Sequence, residues 1–193
     1  MYSLPTTITI RDSVFKIRNE GDFRLILDCF NALNDVELTQ QERIISCLLM
    51  FYEDINSVQD LAKLPDLEEA ILKMYDFFNC GEKRIGMKVN YKLIDWEQDE
   101  QIICSAVNNV ARTEIRALPY LHWWTFMGYY LAVNESVLST IVSIRHKIKT
   151  GKKLEKYEKD FKRDNPQYFI WDSRTLEEKE LTDSILELWN KER

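Results

Sequence analysis

Glycine and proline are scarce in this chain, at 5 and 4 of 193 residues. An all-β fold needs turn residues every few positions, so this scarcity argues against one. It also leaves no material for a long flexible linker. Histidine is scarcer still: His122 and His146 are the two in the chain. The four cysteines, at 29, 47, 80 and 104, form no Cys-x-x-Cys pair, and zinc sites normally show close-spaced ligands. Cys29 and Cys47 fall within apolar helical patterns and read as small buried hydrophobes in a reducing compartment. No glycine-rich phosphate loop and no Gly-x-Ser-x-Gly elbow occurs, so no metal or cofactor is expected. The most apolar stretch, Leu121 to Val133, is 13 residues long and contains His122 and Thr125. A membrane span needs roughly 18. The N-terminus has no basic-then-apolar leader, because Ile8, Ile10 and Val14 alternate with polar residues. A net charge of -6 gives no reason to expect a nucleic-acid or anionic-membrane partner.

What is present suits a packed core. Hydrophobic residues make up 45% and charged residues 30%. The expected organisation is one helical domain over residues 1–165, with a small β-hairpin at about 6–17, then a C-terminal segment, 166–193, ending in an amphipathic helix. Phe23, Ile26, Leu27, Phe30 and Leu33 follow helical spacing after the start cluster Asn19 to Asp22. Thr39-Gln40-Gln41-Glu42 is a capping box. It opens a helix with Ile44, Ile45, Leu48, Tyr52 and Ile55 inward. A short helix follows around Ser57 to Lys63. Pro65 suits the first position of the next helix, whose apolar face is Leu67, Ala70, Ile71, Met74 and Phe78. Asn90 to Ile94 reads as extended. Asp95, Pro119 and Asn134 are the expected starts of three further helices. The last of these places Val137, Leu138, Ile141, Ile144 and Ile148 inward and stops at Gly151. Lys152 to Asp164 forms a charged helix with Leu154, Tyr157 and Phe161 as its apolar line. Ser173 or Thr175 starts a final helix carrying Leu181, Ile185, Leu188 and Trp189.

Candidates for chemistry are weak. His122, in Leu121-His122-Trp123-Trp124, reads either as a general base or as an imidazole hydrogen-bonded at a helix start, and the second is favoured. His146 lies between Arg145 and Lys147 and reads as a solvated surface group. Asp95 and Asp99 share a helix face and could hold Mg²⁺, but acids in a first helical turn also complement its amide dipoles. No catalytic residue is assigned.

Two segments suggest binding. From Arg145 to Arg163 there are nine Lys/Arg against three acids, a local +6 that leaves the remainder at -12. Such asymmetry is a solvated face, or it steers an acidic protein segment or nucleic acid. Nucleic acid is the least favoured, because Glu155, Glu158 and Asp160 interrupt the run. The helix Tyr120 to Leu131 carries more aromatic surface than one stripe needs, so it is either central in the core or shared with a partner.

At Leu121-His122-Trp123-Trp124-Thr125-Phe126 the chain resembles the gene-product-fifteen family of long-tailed bacteriophages and prophages. Matching features in order are Asp22-Phe23-Arg24, Ile94-Asp95-Trp96-Glu97-Gln98-Asp99, and Leu138 to Ile141 leading into Ser143-Ile144-Arg145 and a lysine-rich turn. The likeness covers roughly residues 8–165. It implies a non-enzymatic tail assembly chaperone that binds the tape-measure protein and is absent from the finished particle, acting in the host cytoplasm. On that reading Trp123, Trp124, Phe126 and Tyr130 support or line a groove for helices. Arg145, Lys149, Lys152 and Lys153 then supply complementary charge, and self-association through the same surface is plausible. The competing readings are a structural tail or connector component and a nucleic-acid-binding regulator using residues 145–163.

Overall fold

A computed structural model describes residues 3–82 and 92–171. The protein is mainly α with a two-stranded N-terminal hairpin. Strands β1 (Thr7–Ile10) and β2 (Ser13–Lys16) pair antiparallel, with Ile10 opposite Ser13. Arg11 and Asp12 make the turn, and Arg11 takes the positive φ of 52° that tight hairpin turns demand. Ile8, Ile10 and Phe15 point inward, whereas Val14 faces solvent. The turn is fastened by Arg11, whose guanidinium bonds Asp66 and whose backbone N–H donates to Glu69 at 3.1 Å.

Helix α1 (Phe23–Asn34) is capped by Asp22, and α2 (Gln40–Phe51) opens on the predicted capping box at Thr39 and Glu42. A short 3-10 turn, Val58–Lys63, leads to α3 (Leu67–Phe78). Pro65 is not its first residue: Asp66 caps it, accepting from the Glu69 N–H at 3.0 Å, so the proline lies just outside. Its buried positions are Ala70, Met74, Phe77 and Phe78, while Leu67 is exposed.

The next three helices all start later than expected. Helix α4 (Glu100–Ala111) follows Asp99, because Asp95 spends Oδ1 on a turn, accepting from the Glu97 and Gln98 amides. Helix α5 (Trp123–Leu131) is capped by His122, not opened by Pro119. Helix α6 (Val137–Lys149) is capped by Ser136 in a reciprocal pair with Ser139, not by Asn134. Val137 and Ile148, expected inward, are exposed, and Leu138, Ile141 and Ile144 fill the inner face. Gly151, at φ +68°, ends that run as predicted. Helix α7 (Lys156–Asp164) turns Glu158 inward, and Tyr157 stays outside.

Helix α1 packs on α2 and α5, and α4 packs on α5 and α6. One apolar cluster runs from Ile8 of the hairpin to Leu138 of α6. Cys29 and Cys47 are buried in it, with the Cys47 thiol donating to the Cys29 carbonyl at 3.4 Å. Lys92 to Ile94, the described part of the stretch expected to be extended, carries no regular structure. The predicted final helix, with Leu181, Ile185, Leu188 and Trp189, lies outside the described residues.

Candidate interaction surface

Polar residues at the centre of the molecule form two clasps. The first joins α1 to α5. Asp22 Oδ1 accepts from the Arg24 amide at 3.0 Å, and Oδ2 accepts from the Leu121 amide at 2.9 Å. The Phe23 amide answers by donating to the Leu121 carbonyl at 2.9 Å. Arg24 crosses to the carbonyls of Ile115, Arg116 and Leu118. His122 Nδ1 accepts from the Trp124 amide at 3.0 Å, which leaves the proton on Nε2 to be donated to the Pro5 carbonyl at 3.0 Å. Burial pulls the His122 pKa below the usual 6.5. Both ring nitrogens are thus engaged at a helix start. Gly21 makes the approach possible: at φ +77°, an added Cβ there would lie 2.7 Å from Phe77 Cζ.

The second clasp joins α4 to α6. Arg145 donates to Asp99 at 2.5 and 2.9 Å, to the Leu93 carbonyl at 2.9 Å, and to the Tyr168 carbonyl at 2.6 and 2.8 Å. Trp171 covers the guanidinium at 4.3 Å. Asp99 is 0% and Arg145 4% exposed, so Arg145 is a structural cation and not part of a charged outer face. The same pair removes Asp99 from any shared Mg²⁺ site with Asp95, which is itself paired with Lys92. Among the described residues no cluster of metal-ligating side chains forms.

The aromatic helix resolves into core and edge. Trp123 and Phe126 are 1% and 0% exposed and stack at 5.5 Å. Trp123 Nε1 donates to the Phe78 carbonyl at 3.0 Å, and Trp124 Nε1 to that of Phe77 at 2.9 Å. Trp123 and Phe126 therefore belong to the core and line no outer surface. Trp124 and Tyr130 are half-buried at its edge, and Tyr130 leans on Trp96 at 5.3 Å.

The lysines fall differently. Lys149, Lys152 and Lys153 are exposed, as are Lys156, Lys159 and Lys162. Lys147 is not part of this outer set, because it bonds the buried Glu158 at 2.7 Å and draws α7 onto α6. That ion pair holds the Glu158 carboxyl below its usual pKa. Arg163 is taken by Asp160 and Asp164. His146, read as a solvated group, is half-buried.

The sequence reading missed Arg24 and Arg18. Arg18 gathers the carbonyls of Leu49, Met50 and Tyr52 at the end of α2. An arginine serving distant carbonyls leaves no local pattern, although Asp22-x-Arg24 is a weak hint.

The structure is thus a helical domain locked by two buried polar clasps, with one lysine-rich outer edge. The model of the Bacteriophage Gp15 protein family matches residues 2–169, and the chain belongs to that family. It is a bacteriophage protein. No curated protein matches the chain, and no solved structure matches it. The motifs on which the resemblance was read coincide with the clasps: Asp22 to Arg24 and Leu121 to Phe126 meet in the first, and Asp99 and Arg145 in the second. No helix among the described residues is long and apolar enough to cross a membrane.

Proposed function

We propose that this protein is a tail assembly chaperone, which binds the tape-measure protein and assists tail morphogenesis without catalysis. The observation that carries this reading is family membership over residues 2–169, which points to a phage structural or morphogenesis role. The engagement of His122, Asp22, Asp99 and Arg145 in folding contacts supports a binding role over a chemical one. The exposed lysine edge offers steering charge for an acidic stretch of a long helical partner. On this reading the protein works in the host cytoplasm and leaves before the particle matures.

Affinity capture of a tape-measure fragment tests it. The native chain is expected to retain the fragment, and Lys149→Glu/Lys152→Glu/Lys153→Glu to retain several-fold less. No capture by the native chain would end the chaperone reading. Equal capture by the variant would remove the lysines from it. Finding the chain in purified mature particles would favour a structural component.

A further inference from the structure

Residues 155–171 are fastened to the body differently from the elements before them. Among the described residues no apolar side chain after Ile144 is buried. Phe161, Tyr168 and Phe169 are half-buried, and the apolar cluster from Ile8 to Leu138 takes in none of them. Phe161 and Phe169 instead pack on each other, edge to face at 6.3 Å.

The ties to the body are polar, and they run to Lys147, Gln98 and Arg145. Lys147 donates to Glu158 at 2.7 Å. Gln98 Nε2 donates to the carbonyls of Gln167 and Ile170 at 3.2 and 2.7 Å. Arg145 donates to the Tyr168 carbonyl, and Trp171 lies over its guanidinium. Its other donors go to Asp99 and Leu93, so Arg145 stays anchored to the body whether or not the segment is in place.

Packing of an apolar face supplies most of a helix's stability in a folded domain. A hydrogen bond exchanged for one to water adds little net. Helix α7 spans nine residues, and an isolated helix shorter than about 12 is marginal. Once its ties break, α7 therefore has little to hold it. Gly151 supplies a pivot between α6 and α7: its φ is +68°, and nothing stands within 4 Å of where a Cβ would be.

We propose that residues 155–171 form a strap that opens as one cooperative unit, uncovering Gln98, Arg145 and Lys147, while α1 to α6 stay folded. The lysine edge is then part fixed and part movable. Lys149 stays with α6, and Lys156, Lys159 and Lys162 travel with the strap. Any partner drawn to that edge meets a hinged set of charges, whether or not it is the tape-measure protein.

Native-state hydrogen exchange of the full-length chain tests the strap. Amides of α7 are expected to exchange more than about tenfold faster than those of α4 and α5, with a weaker dependence on urea, because opening exposes little surface. Lys147→Met leaves the Glu158 carboxylate without its cation and should raise exchange across 156–171 several-fold, with α4 and α5 unchanged. Gln98→Ala loosens the other end. It should raise the same amides by one common factor, including those of α7, which Gln98 does not touch. Confinement of that rise to 166–171 would show two independent pieces and overturn the proposal. Exchange of α7 at the rate and urea dependence of α4 would overturn it equally, because the strap would then open only when the whole domain unfolds.

Discussion

Helix α5 and the α6–α7 edge make similar claims in the sequence, one by surplus aromatic surface and the other by surplus charge. The structure treats them oppositely. In α5, Trp123 and Phe126 vanish into the core, and the half-buried Trp124 still donates its indole N–H to a backbone carbonyl. Along α6 and α7 the charge divides by position. Arg145 and Lys147 turn inward to Asp99 and Glu158, and six lysines stay in water. Aromatic surface is removed from water wherever the fold can cover it. Charge is buried only where a partner meets it. Aromatic surplus in this sequence therefore marks core, whereas surplus charge divides between buried pairs and an exposed edge.

The sharpest attack on this contrast is Trp123→Ala. It should cost about 3–5 kcal/mol through the cavity it leaves, read as a lowered denaturation midpoint with an unchanged slope. A loss under 1 kcal/mol would mean that α5 is not committed to the core. The second clasp tests the charge side of the contrast. Asp99→Ala strands the buried Arg145 and should cost about 3–5 kcal/mol, whereas Asp99→Leu/Arg145→Met should recover much of the loss. Recovery would show that the pair fixes geometry more than it stabilises.

His122 gives a smaller effect with a defined direction. Its folded pKa lies below the unfolded 6.5, so as pH falls below that value the unfolded chain binds protons first. The stability contributed by the neutral imidazole is complete above pH 6.5 and is lost as pH falls towards the folded pKa. Asp22 is the nearby charge that limits the shift, and it is itself held by Arg24. His122→Ala should lose about 1 kcal/mol of capping and flatten the pH profile in this window. An unchanged slope would remove the imidazole from the account. The smallest effect belongs to the outer lysines: reversing Lys152 and Lys153 should shift stability by less than about 0.5 kcal/mol. A larger loss would show that they belong to the fold.

Local rules made much of this legible. The hairpin followed from alternation, and α2 from the Thr39–Glu42 box. Gly151 marked a chain reversal, and the buried cysteines followed from helical periodicity. The helix starts at Asp66, Asp99, His122 and Ser136 were misplaced because several neighbouring residues can each cap a helix. At two of them a long-range bond holds the start in place: Asp99 accepts from Arg145, 46 residues away, and His122 bonds the Pro5 carbonyl, 117 away. The same blindness assigned Arg145 to a partner and Tyr157 to the core. Three of the proposed binding residues, Lys149, Lys152 and Lys153, lie on one exposed edge, because nothing in the described fold reaches them.

The clasp between Asp22 and His122 also bears on synthesis. The hairpin and α1 leave the ribosome early, yet the amide that Asp22 holds belongs to Leu121 and the ring that bonds Pro5 is His122. At ribosomal speeds of about 5–20 residues per second, the N-terminal elements wait roughly 5–20 seconds for their closing partner. During that interval the face of α1 that will meet Phe126 through Phe23 has nothing from α5 to cover it.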